Sequence, residues 1–157
     1  MMATAHLLVA GAIASKVADP VAAPAISLAS HFLLDSIPHW DFGADWRKRT
    51  KLETGMFAVA DTVIGLFLAY YLFGNEVSPL MLFACLILSV LPDWLEAPWY
   101  IFFADQNTTG LKKNASISER ACFWFYKSTN RMHSKGTFPW GLVSQVATIT
   151  FFLLLLR

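Results

Sequence analysis

Five apolar runs, set apart by proline, glycine and short charged stretches, constrain the fold of this chain more than any other feature. They cover residues 4–17, 21–37, 55–73, 79–103 and 138–156. Asp19-Pro20 closes the first, Pro38 the second and Gly74-Asn75 the third, while Pro79 opens the fourth. Proline lacks the backbone donor that a helix interior needs, so each run reads as a separate helix. The chain has 157 residues, 56% hydrophobic and 15% charged, with a mean hydropathy of +0.49. That balance is too apolar for an ordinary soluble domain. The expected fold class is all-α, an integral membrane helical bundle of about five apolar helices in one domain over residues 1–157.

The first run is short for a membrane crossing and rich in small residues (Ala10, Gly11, Ala12, Ala14, Ser15), which predicts tight helix packing or a partly re-entrant segment. No basic stretch precedes it, so it reads as mature structure and not as a secretion signal. Pro92 and Pro98 are expected to kink or break the fourth run. Between the fourth and fifth runs lies a polar stretch, 104–137, in which Ser116 and Glu119 have capping-box spacing. Ile117, Ala121, Trp124, Phe125 and Ser128 then share one face, as in a cytoplasmic amphipathic helix lying in the interface plane. Cys85 and Cys122 have no paired spacing and read as packing residues.

Orientation follows from the basic residues. Of the 12 lysines and arginines, all but Lys16 and Arg157 fall in the stretches 38–54 and 104–137. Two apolar runs separate these stretches, so they lie on one side, and the positive-inside rule makes that side the cytoplasm. Trp40, Trp46, Trp94, Trp99 and Trp140 flank the same ends and suggest an aromatic belt. A net charge of +1 with no basic stripe argues against nucleic-acid binding. Membrane lipids are the expected partners; a second copy of the chain or a membrane partner protein stays open.

On that topology eight ionisable residues approach one depth: His6, His31, Asp35, His39, Asp41, Asp61, Asp93 and His133. Such groups are costly at membrane depth and mark functional sites. His31 and Asp35 are four apart, so they share a helical face. Pro38 then lets His39 and Asp41 fold back towards it. Imidazole with carboxylate suits zinc, with manganese or iron as alternatives, and a metal would neutralise acids that are otherwise hard to keep charged near lipid. For His31 and Asp35 alone, a helix-stabilising hydrogen bond is the competing account. Asp61 lacks a local charge partner and is expected to face the bundle interior as a ligand, or else to bond a neighbouring helix. Glu96, three residues after Asp93, is a candidate general base alongside Asp41. Arg131 and Lys135 flank His133 and are candidate phosphate-binding residues, unless they serve topology alone.

Ala5-His6-Leu7-Leu8-Val9-Ala10-Gly11, the run from His31 to Asp41, Leu91-Pro92-Asp93 and His133-Ser134 resemble, in that order, the motifs of the bacterial and archaeal membrane-bound metal-dependent hydrolases. The resemblance spans most of the chain, and its central run is the most specific part. The His-x-x-x-Asp element is also similar to that of the zinc-dependent phospholipase C and P1 nuclease group. One departure stands out: the family has a further histidine shortly before its late motif, where this chain has Asn130-Arg131-Met132. The resemblance implies a prokaryotic inner-membrane hydrolase with one or two metal ions at the cytoplasmic interface. A lipid phosphoester is the substrate expected from the site's depth. A non-catalytic scaffold with a structural metal, or a metal-ion or proton transporter, are the alternatives.

Overall fold

The computed structural model describes residues 1–41, 48–104 and 110–156. Among these the chain is helical with no β-strand: α1 (Ala3–Lys16), α2 (Ala22–Ser36), α3 (Lys51–Phe73), α4 (Pro79–Pro98), α5 (Ile117–Asn130) and α6 (Trp140–Leu155). Trp46 and Arg47, counted above in the aromatic belt and the basic loop, lie outside the described residues.

Local chemistry sets the helix ends. Pro38 stops α2, whose cap is Ile37. Ser78 caps α4 by accepting from the Met81 N–H, and Pro79 takes the first helical position, where its missing N–H costs nothing. At α3, Thr50 and Glu53 form a reciprocal capping box, so the helix starts at Lys51, a turn earlier than the apolar run. α4 runs through Pro92 without a break. After Pro98 it passes into a π-helical turn, Trp99–Phe103, closed by the Ala104 N–H on the Trp99 carbonyl at 2.8 Å.

α1 is the central post. It is buried on every side from Ala5 to Ala14 and touches α2, α3, α4 and α6. Small residues make this possible: a Cβ placed on Gly65 of α3 would lie 2.7 Å from the Thr4 Cα, so only glycine lets the two backbones approach so closely. Leu7, Leu34, Leu82 and Leu86 fill the core around it.

Two helices are long and apolar enough to cross a membrane: Lys51–Phe73, and Pro79–Phe103 including the π turn. The other three apolar helices have 14, 15 and 16 residues, fewer than the roughly 20 a full crossing needs. α3 turns Val59, Val63, Ile64, Phe67, Tyr70 and Tyr71 outward, and α6 exposes Val143, Val146, Phe151, Leu154 and Leu155.

α5 meets the bundle through its aromatic residues. Tyr126 stacks on Trp99 at 5.7 Å between ring centroids, and Phe123 meets the same indole edge-on at 4.9 Å. These aromatic contacts hold α5 against the π-helical turn. Ile117 and Trp124 are therefore left 88% and 64% exposed, with Ala121 and Ser128 beside them. Trp99 itself is buried and belongs to the core, not to an aromatic belt.

Candidate metal centre

All four histidines of the chain meet at one end of the bundle. The first turn of α1 brings His6, the last two turns of α2 bring His31 and Asp35, and α4 brings Asp93. His39 and Asp41 follow the Pro38 stop, and His133 follows α5.

A short backbone seam draws His133 in. The Asp35 carbonyl, left without a partner at the end of α2, accepts from the Ser134 N–H at 2.8 Å. The His39 N–H donates to the Ser134 carbonyl at 3.2 Å, and the Gly136 N–H donates to the His39 carbonyl at 2.6 Å. The start of α6 then closes on the same strand: a Cβ on Gly141 would lie 2.6 Å from the Trp40 nitrogen and 2.9 Å from the His39 carbonyl carbon. Glycine there is a requirement of close approach.

Two of the rings are held by their outer nitrogens. His31 Nδ1 lies 2.7 Å from the Ser89 carbonyl and His39 Nδ1 lies 2.7 Å from the Ile37 carbonyl. A carbonyl can only accept, so each Nδ1 carries the proton and each neutral ring presents its Nε2 lone pair inward. This is how metal-ligating histidines are oriented. His6 stacks on His31 with centroids 4.2 Å apart. It is fully buried, and neither of its nitrogens makes a hydrogen bond among the described residues. Its Nε2 is 3.2 Å from Asp35 Oδ1, close but not aligned for a hydrogen bond.

Asp35 lies at the middle. Its Oδ2 is 3.3 Å from both His31 Nε2 and His133 Nδ1, and its Oδ1 is 3.9 Å from His39 Nε2. Asp93 Oδ1 approaches His31 Nε2 at 3.7 Å. Donor atoms around a tetrahedral zinc ion stand roughly 3.3 Å apart, so this spacing fits a cation. The ligand atoms form two groups, His6, His31 and Asp93, and Asp35, His39 and His133, each within 4.8 Å. The Met1 amino group is also ion-paired with Asp35, so a positive charge is already accommodated at this point.

His133 stands between two acids, with Nδ1 towards Asp35 and Nε2 2.8 Å from Asp41 Oδ2. Burial opposes its charge, but the bonds to Asp35 and Asp41 outweigh burial and raise its pKa to about 9. Burial likewise opposes the Asp41 charge, and the bonds to His133 and His39 overcome it, holding that carboxyl below the usual carboxylate range. Without a metal, protons thus do the work of a cation between these groups.

The remaining sequence candidates are placed differently. Asp61 accepts from the N–H of Ala3 at 2.6 Å and from the Thr4 hydroxyl at 2.6 Å, with the Thr4 N–H at 3.3 Å. It serves the start of α1, the second of its two expected roles, and belongs to neither ligand group. Glu96 sits one turn beyond Asp93, where it accepts from Thr129 Oγ1 and ties α4 to α5. Arg131 and Lys135 are exposed beside His133, and neither side chain has a hydrogen-bond or ionic partner among the described residues. Sequence reasoning missed Ser89, Ile37 and Gly141, whose backbones hold the ligands. Gly136 and Gly141, bracketing Pro139 so soon after His133, were the available signal.

The chain matches none of the protein-family models, curated proteins or solved structures with which it was compared.

Proposed function

We propose that this chain is a membrane-embedded, metal-dependent hydrolase that acts on a lipid phosphoester at the cytoplasmic interface. The observation that carries this reading is His6, a fully buried imidazole with no hydrogen bond among the described residues, its Nε2 3.2 Å from the Asp35 carboxylate among the other three histidines. A buried polar side chain left without a partner is costly, and a metal ligand is the role that explains it. The outward apolar faces of α3 and α6 support a lipid environment, since soluble monomers rarely expose patches of that size. Placement of the basic stretches supports the cytoplasmic side.

A divalent ion bound here, zinc or else manganese or iron, would supply Lewis acidity to the scissile ester. His31 and His39 present fixed lone pairs to it, and Asp35, Asp93 and His133 complete the ligand set. Glu96 would take a proton from the attacking water, with Asp41, whose Oδ1 is buried and has no hydrogen-bond partner among the described residues, as the second candidate. Arg131 and Lys135 would hold the phosphate. α3 begins level with Ile101, since Lys51 Nζ donates to that carbonyl at 2.9 Å. Asp93 is eight residues earlier on α4, so the centre lies about 12 Å along the helix from that end.

The test is release of phosphate or headgroup from phospholipid vesicles by purified protein loaded with zinc or manganese. Turnover should be lost in both His31→Ala and Asp35→Ala. Metal bound with no hydrolysis of any ester would favour a scaffold, and ion flux across sealed liposomes would favour a transporter.

A further inference from the structure

Asp35 has two oxygens and they face different histidines. Oδ1 is 3.2 Å from His6 and 3.9 Å from His39, and Oδ2 is 3.3 Å from both His31 and His133, so this carboxylate, a member of the second ligand group, also reaches both histidines of the first. The donor count points the same way. Four imidazoles and the carboxylates of Asp35, Asp41 and Asp93 exceed what one tetrahedral ion accepts, which is four ligands.

We propose that the centre takes two divalent cations side by side, sharing Asp35 as a bridging carboxylate; this rests on the metal-dependent reading above. His6, His31 and Asp93 hold one ion, and His39 and His133 hold the other, with Asp41 beside it. The seam between residues 134–136 and 35–39 brings His39 Nε2 to 2.8 Å from His133 Nε2, which sets these two rings side by side. Paired ions a few ångströms apart would clamp both the attacking and the leaving oxygen of the phosphoester displacement proposed above.

The experiment uses the full chain in detergent, loaded with manganese and freed of excess ion. Elemental analysis should give two ions per chain, and electron paramagnetic resonance should show an exchange-coupled pair. His6→Ala and His39→Ala should each bring the count from two to one and abolish the coupling. A saturated count of one ion, or two ions with an uncoupled spectrum, overturns the pair; the wild-type spectrum decides this even where a variant fails to fold. Vesicle hydrolysis measured on the same preparation keeps the two ideas apart. One ion with turnover removes the pair and leaves the hydrolase, whereas two coupled ions without turnover keep the pair and remove the hydrolase.

Discussion

Asp35 and Asp61 are both carboxylates buried in apolar helices, and from sequence both look like metal ligands. Their surroundings separate them. Asp61 is met by backbone N–H groups and a hydroxyl at the start of α1, donors that cannot give up their protons and that stabilise an anion at a helix N-terminus. Asp35 is met by imidazoles, whose nitrogens donate when protonated and ligate when not. A carboxylate satisfied by fixed donors fastens helices together. One ringed by exchangeable donors is free to trade protons for a metal.

The largest effect expected from this contrast comes from Asp35→Asn, which should weaken metal binding by roughly 100-fold or more, since even supporting residues of a metal site cost 10–100-fold. Asp61→Asn should keep its full metal content and lose about 1.5–3 kcal/mol of stability, the usual worth of hydrogen bonds to a charged group. Equilibrium dialysis and thermal melts of the two variants side by side check both claims. Equal loss of metal from both would erase the distinction.

The same contrast shows which parts of the molecule are written in its local sequence. Pro38, Gly74 and Pro79 mark helix ends because their backbone chemistry acts within a turn, and the ends of α2, α3 and α4 fall where they indicate. The pair His31 and Asp35 was readable because four-residue spacing is itself a geometry. The role of Asp61 was not, because its partners are mostly backbone N–H groups about 58 residues away, which no side-chain pattern records. His133 reaches the site through the seam at Ser134 and Gly136, again backbone to backbone over a long loop. Which rings of α5 turn inward was not legible for a related reason: periodicity finds an apolar stripe, but Trp99 on another element decides that Phe123 and Tyr126 pack against the bundle.

A second, smaller effect tests the seam. Gly141→Val should push the His39–Trp40 backbone away from α6 and weaken metal binding by roughly 10-fold to 100-fold, with Asp61 and its bonds untouched. Gly55→Val is the matched control, because a Cβ there meets nothing within 4 Å. If both variants bind metal like the wild type, the seam does not position His39.

The smallest effect belongs to the fastening side of the comparison. Thr4 Oγ1 lies 2.6 Å from Asp61 Oδ1 and 3.0 Å from the Asp61 carbonyl. Thr4→Val keeps the shape of the side chain and removes that hydroxyl, while the N–H groups of Ala3 and Thr4 remain on the carboxylate. The loss should be about 1 kcal/mol, one hydrogen bond's worth, seen as a lower unfolding midpoint in denaturant. Thr4→Ser should restore most of it, because the hydroxyl returns without the methyl group. Metal content should be unchanged in both. His6 is only two residues further along α1, so metal loss in Thr4→Val with rescue in Thr4→Ser would mean that the Asp61 fastening sets the position of His6, and that the two carboxylates act as one unit.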